Sequence, residues 1–444
     1  MNEDAITAEA PFDAAQETCC VVDTGLFQHC AEHLAKSFKK VYLHNPAWKE
    51  TFSSSKRLYV GDGIDNIELA EDVWDIIEDV GLFVFPDIQH GDMQDTLRKM
   101  GKRVWGSGVM GENLELDRWA FRQLLFDLDM PIAPAERIIG IDALRKYLEK
   151  VPEAYIKASK TRADWETYHH HNPYSTKLVL DSFQHEMGPM AEDYEFVVEL
   201  PIETDVELGG DAPFVGAWPK FFEWGYERKD RGYAGTITPY TELPEPILYV
   251  NEKFKDVLAE LNYRGSFSTE IRVKGKKFYF TDCTSRMGSP PSQLLWKMIG
   301  NWPERMWYGA EGKVVPPKVL AKYGFMVMVY DSECDTDVRW YGYPKKKADW
   351  YAFSFSCMID GERYTLPQRC GMPFQCYVSA VDDDPKEAIT KLISNCRELH
   401  GDGLDIRTES LIDMVNEIHI AEKMGYRFGK AKVPSVEEVA RMIL

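Results

Sequence analysis

Long apolar runs are missing from this chain of 444 residues. No stretch approaches the roughly 18–20 consecutive apolar residues that a membrane helix needs, so no spanning helix is expected. Paired cysteine motifs are missing too. Nine cysteines lie scattered, none in a CxxC, and the only adjacent pair, Cys19 and Cys20, sits in an apolar run. An odd count cannot pair fully within one chain, so neither a disulfide framework nor a zinc site is expected. Positive charge is scarce: 52 Lys and Arg stand against 72 Asp and Glu, a net charge of -20. That balance argues against a broad basic surface for nucleic acid, because neutralising phosphates needs clustered cations. A small, locally basic pocket stays open. The opening MNEDAITAEAPFDAAQE has no basic segment followed by an apolar one, and residues 1–16 read as a frayed leader, not a secretory signal. The chain is expected to be soluble and cytoplasmic, with neither membrane nor nucleic acid as partner.

What is present suits globular packing. Hydrophobic residues make up 44% and aromatics 13% of the chain, and the length suggests two to four domains at about 100–200 residues each. In the first part strand and helix signals alternate. TCCVVDTG, KVYLH, DVGLFVFPDIQHG and KRVWG read as strands, and LFQHCAEHLAKSF and DMQDTLRKMG as helices. Such alternation predicts a parallel sheet over residues 17–110, with ligands at the strand C-termini. The helix NLELDRWAFRQLLFDLD follows, and from residue 190 the pattern turns β-rich, with YEFVVELPI, TDVELGGDAPFVGAWP, RGSFSTEIRV and KKFYFTDC as antiparallel strands. FFEWGYERKDRGYAGTITPYTELP between them, rich in Gly, Arg, Lys and Tyr, reads as a long functional loop. Residues 111–314 form one expected domain, and 315–444 a C-terminal α+β domain ending in two amphipathic helices.

One hairpin, SFSTEIRVKGKKFYFTDCTSR, carries chemistry. Glu270 and Asp282 stand twelve positions apart. A three-residue loop at Lys274, Gly275 and Lys276 would oppose residues 270 and 280 and put Asp282 on the same face, whereas a two-residue loop would put the acids on opposite faces. Two acids sharing a face repel unless a cation sits between them, and magnesium suits one or two carboxylates plus substrate phosphates. Two solvent-facing acids are the other reading of the spacing. Thr284 could add a hydroxyl ligand, and Arg286 could meet a phosphate oxygen. Lys157 ends the apolar strand EAYIKAS, where it must snorkel or meet an anion, and Lys160 and Arg162 follow in a polar loop. His169, His170 and His171 are consecutive, so their side chains diverge and do not suit one ion. Glu199 interrupts FVVELPI, with Asp205 and Glu207 close behind; acids at a strand end can accept from an adenine amino group or ribose hydroxyls.

Taken in order, these segments resemble the ATP-grasp superfamily, most closely its phosphoribosylamine–glycine ligase branch, over about residues 20–430. FVFPDIQHGDMQDTLRKMGKRVWG looks like that family's Gly-Pro-Glu strand, helix and next strand. LELDRWAFRQLLFDLDMPIAPA resembles its Leu-Glu-x-Ser-Lys helix, with Arg118 where the family keeps Lys. YIKAS matches the phosphate-binding strand at Lys157. FVVELPI matches the adenine hinge, with Glu199 as hinge acid, the backbone through Ile202 beside the ring, and Glu207 or Asp205 as ribose acid. YFTDCTSRMGSPPSQ matches the metal strand Glu-x-Asn-x-Arg-x-Gly-x-Pro, with Asp282 for Glu, Thr284 for Asn and Arg286 intact.

The resemblance implies a Rossmann-like N-terminal domain, an ATP-grasp domain and a C-terminal α+β domain. It further implies an ATP- and magnesium-dependent ligase that joins a small-molecule carboxylate to an amine through an acyl phosphate. Glu270, Asp282 and Thr284 would hold the metal. Arg118, Lys157, Lys160, Arg162, Glu199, Ile202, Asp205 and Glu207 would bind nucleotide, and Arg286 and Lys229 would act in catalysis. Asp23, Gly25 and Asp87, at expected strand ends, are the expected substrate contacts. Two departures bear on this. VVDTGLFQHC replaces the family's glycine-rich turn and Arg-Glu-His, which argues against phosphoribosylamine as substrate. SKTRADWETYHHH replaces its Gly-Lys-Gly lid, leaving Lys160, Arg162 and Thr167 to cover phosphates with side chains. The alternative is a catalytically silent nucleotide-binding scaffold or sensor.

Overall fold

The computed structural model describes residues 11–46, 58–160, 167–228, 231–331, 333–334, 337–367 and 374–444. The first sheet uses β1 (Thr18–Val22), β2 (Lys40–His44), β3 (Ile67–Leu69), β4 (Leu82–Val84) and β5 (Arg103–Trp105), all parallel, in the order β3-β2-β1-β4-β5. β1 is buried from Cys19 to Val22 and β4 throughout. Their unbroken apolar runs suit strands covered on both faces, which is why they do not alternate. Helices α1 (Gln28–Ala35) and α2 (Gly91–Lys99) connect them. The strand order reverses between β1 and β4, the place where open parallel sheets bind ligands.

The single helix expected over NLELDRWAFRQLLFDLD is two: α3 (Gly108–Leu116) and α4 (Arg118–Asp127), broken at Asp117, whose side chain caps α4 by accepting from the Ala120 amide. A small antiparallel sheet follows, built from β6 (Ala135–Ile139), β7 (Ala154–Ala158), β8 (Thr167–His170) and β9 (Glu195–Glu199) in the order β6-β9-β7-β8. It packs on α5 (Ile141–Leu148) and α6 (Pro173–Met187) through its own apolar cluster. Within β8 the histidines face apart: His169 reaches Glu153, while buried His170 bonds Thr176.

The largest sheet contains β10 (Val206–Val215), β11 (Phe221–Arg228), β12 (Gly232–Pro239), β13 (Arg264–Lys274), β14 (Lys277–Thr284) and β15 (Tyr323–Asp331). From β15 onward its strands come from residues 315–444, the segment expected as the C-terminal α+β domain. β15 pairs both with β12 and with β20 (Phe374–Asp382), and β17 (Tyr351–Phe353) adds to β20. β16 (Arg339–Tyr341), β18 (Ser356–Ile359) and β19 (Glu362–Thr365) form a separate three-stranded sheet, and β21 (Leu404–Ile406) pairs with β15. Helix α7 (Glu245–Glu260) lays Ile247, Val250, Phe254 and Leu258 against the large sheet. That i, i+3, i+7, i+11 stripe buries side chains worth about 1.5–3 kcal/mol each.

The long loop expected around FFEWGYERKDRGYAGTITP is instead the β11–β12 hairpin at the middle of the large sheet. Phe222, Trp224, Tyr226, Tyr233 and Ala234 are buried there. The many glycines hid the strand pattern, and they have a packing cause: a Cβ on Gly225 would lie 2.6 Å from the Tyr233 hydroxyl oxygen.

Candidate functional site

The β13–β14 hairpin closes with two residues, not three: Lys274 pairs with Lys277, and Gly275 takes φ 60°. A regular ladder from that turn would put Glu270 and Asp282 on opposite faces. A β-bulge beyond Ile271 inserts Thr281 and sets Glu270 directly opposite Asp282. The Thr281 hydroxyl donates to the Glu270 carbonyl at 3.0 Å. The shared face expected from the sequence therefore arises by a different register.

β10 pairs along the other edge of β13, so three rungs cross the floor of one cleft. They are Glu207–Arg272, Gly209–Glu270–Asp282, and a third formed by Asp211, Ser268 and Thr284. The cleft holds about 340 Å³ and opens between the small and large sheets. Lys157 and Glu199 reach it from the small sheet, Ile202 from the connection after β9, and Arg286 lies beyond the end of β14.

Charges there are closely matched. Arg118 Nη1 lies 3.0 and 2.9 Å from the two Asp282 oxygens, and Lys157 Nζ lies 3.1 Å from Oδ2. Lys157 also stands 3.3 Å from Glu199, which takes Arg122 Nη1 at 3.0 Å. Burial pushes the Asp282 carboxyl up, but Arg118 and Lys157 outweigh it and hold the group below the ordinary carboxylate range. Burial favours neutral Lys157, yet Asp282 and Glu199 keep its ammonium above its usual value. Arg122 was not foreseen, although it stands one helical turn after Arg118 on α4.

The remaining expected residues divide. Arg286 Nε donates to Glu115 of α3 at 3.0 Å and lies 3.4 Å from Asp87, the residue after the Pro86 that follows β4. Glu115, part of the quoted LELDR motif but given no role there, accepts the Ser285 amide at 2.9 Å and so fixes the turn that carries Arg286. Asp23 is wholly buried at the end of β1, and its carboxylate accepts from the Gly25 and Phe27 amides, shaping its own turn. Gly25 (φ 124°) lies under Phe355, whose ring would stand 2.6 Å from a Cβ there. Asp205 is exposed and accepts from Lys274 and the Gly275 amide at 2.9 Å each, away from the cleft lining. Exposed Lys160 takes φ 60° and is tied to α3 through its amide. Arg162 and Lys229 lie outside the described residues.

Burial, then the nearby Asp87, pushes the Asp23 carboxyl up to about 7, against its three backbone bonds. An acid raised in the folded state contributes stability present in full below its unfolded value of about 3.9 and lost as pH rises through the folded one. Asp23→Asn does not titrate. The variant should therefore gain a few kcal/mol on the wild type between about pH 4 and 8, read from urea midpoints at both ends. Parallel pH curves for the two proteins would remove the assignment.

No family model matches the chain, and no curated protein matches it. Solved structures do. A phosphoribosylamine–glycine ligase from Thermotoga maritima superposes at TM-score 0.65 with 15% identity, covering 88% of this chain and 99% of that one. A biotin carboxylase–β,γ-ATP complex from Campylobacter jejuni gives TM-score 0.62 and 15% identity over 93% and 99%. The biotin carboxylase domain of 2-oxoglutarate carboxylase from Hydrogenobacter thermophilus, in complex with MgADP, ADP and bicarbonate, gives 0.61 and 10% over 96% and 98%. The chain has the ATP-grasp fold, as the order of its motifs predicts.

Proposed function

We propose that the chain is an ATP-dependent carboxylate–amine ligase working through an acyl phosphate. The observation that carries this reading is the pair Glu270 and Asp282, opposed on the cleft floor, with Arg118 and Lys157 on Asp282 and Arg286 in the same cleft lining. Two carboxylates and the Thr284 hydroxyl form a hard oxygen donor set that fits magnesium, together with phosphate oxygens. Bound there, the ion would neutralise charge on the polyphosphate.

The chain's own groups do the rest. In the resting cleft Arg118 and Lys157 neutralise Asp282. With a divalent ion held by that acid, Arg118 and Lys157 would lie beside the polyphosphate as well as beside Asp282, so little charge would have to be uncovered on binding. Glu199, Ile202 and the Glu207–Arg272 pair line the end suited to adenine and ribose. A carboxylate is a poor electrophile for an amine. Moving the γ-phosphoryl group onto it creates an acyl phosphate, and the amine then displaces inorganic phosphate. Enclosure by the small sheet would keep water from that intermediate. The structural neighbours named as a ligase and as carboxylases support this class of chemistry.

The test is ADP release by the purified protein with ATP, magnesium and pooled carboxylic acids and amines, amino acids included. Release that needs both an acid and an amine supports the ligase. Tight ADP binding with no release across the panel would make it a nucleotide-binding scaffold instead.

A further inference from the structure

The floor of the cleft does not end at the metal rung. β10 continues two residues past Gly209 to Asp211, about 7 Å further along the strand and on the same face. Glu207, at the ribose end, lies the same distance the other way. Asp211 therefore stands beyond the position of a terminal phosphate, where the acceptor of that phosphate and its partner must meet.

The surroundings of Asp211 are built with care for its carboxylate. The Tyr233 hydroxyl donates to Oδ2 at 2.6 Å, and Asp211 pairs in register with Ser268. Tyr233 itself occupies space left by Gly225 and Gly235, whose Cβ atoms would come within 2.6 and 2.8 Å of it. Gly288 leaves the other side open: a Cβ there would lie 3.1 Å from Asp211 Oδ1. Burial pushes the Asp211 carboxyl up to about 6, against the hydroxyls of Tyr233 and Ser268, so the group gains from a cationic partner at neutral pH.

The local chemistry selects the sign of that partner. Among the described residues this end of the cleft offers Asp211, Glu227, Tyr233, Ser268 and Ser289, with Arg286 at its border engaged by Glu115 and Asp87. A second phosphate or carboxylate would face carboxylates and hydroxyls here. An ammonium would form a charge-assisted hydrogen bond to Oδ1. Resting on the ligase reading above, we propose that Asp211, steadied by Tyr233, is the subsite for the primary ammonium group of the amine substrate. The amine substrate is thus cationic when it binds and has no phosphate group of its own at this end.

The experiment measures binding, so it does not wait on the true substrate. Ethylammonium is titrated into the protein–Mg–ADP complex by saturation-transfer NMR, with tetramethylammonium and acetate as controls. Wild type should bind ethylammonium in preference to tetramethylammonium, which cannot donate a hydrogen bond. Asp211→Asn should weaken ethylammonium at least tenfold and Tyr233→Phe several-fold, with Mg–ADP affinity within about threefold of wild type. Equal ethylammonium binding by Asp211→Asn, or none by wild type, overturns the proposal. A large loss of Mg–ADP affinity in Asp211→Asn also overturns it, by placing Asp211 at the metal. Failure of wild type to bind Mg–ADP at all would instead sink the ligase reading and this inference with it. Circular dichroism checks that both variants fold.

Discussion

Glu270→Gln combined with Asp282→Asn should lower ADP release by about a thousandfold or more while the protein stays folded. Both replacements keep shape and remove charge, so the loss measures charge on the cleft floor. Each acid would donate to the same ion, and a divalent ion left with neutral amides binds weakly. The two changes differ in their side effects. Asp282→Asn strips Arg118 and Lys157 of a shared counter-charge, which costs stability because buried cations are left less compensated. Glu270→Gln alone leaves the Asp282 ion pairs with Arg118 and Lys157 in place, and its expected fall is about a hundredfold. Turnover by the double variant at the wild-type rate would mean that the ion, if one binds, sits elsewhere.

Lys157→Met should weaken Mg–ADP binding by about a hundredfold, close to 2.7 kcal/mol. The variant loses one charge-assisted contact to phosphate in a partly enclosed site. Methionine keeps the length and the apolar stem within β7, so strand packing should survive. The loss of stability should be small, since Asp282 keeps Arg118 and Glu199 keeps Arg122. Calorimetric titration gives the affinity, and urea denaturation gives the stability. If affinity is unchanged while stability collapses, Lys157 is a structural clamp between the two sheets and not a phosphate ligand.

Much of the fold was legible in the chain. Uninterrupted apolar runs such as CCVV and LFV marked buried parallel strands, and the order of the motifs pointed to the ATP-grasp fold before any packing was considered. The β11–β12 hairpin was not legible, because its glycines, which read as loop punctuation, make room for Tyr233. Arg122 could have been found from its helical spacing to Arg118. Glu115 is the Glu of the quoted LELDR motif, yet its part in holding Arg286 is set by a partner 171 positions away, and Tyr233 carried no local signal for its partner 22 positions away.

By itself the sequence determined which residue types are available: two acids at the hairpin, a lysine ending an apolar strand, an arginine in the following turn. Those identities set the chemistry, because charge and hydrogen-bonding capacity belong to the side chain wherever it lies. Facing was decided only in three dimensions. The turn closes one residue shorter than the pattern suggests, and the bulge at Thr281 restores the parity that the short turn would have lost. A strand alternates sides with every residue, so a single inserted residue decides whether Glu270 and Asp282 meet over a cleft or part across a sheet.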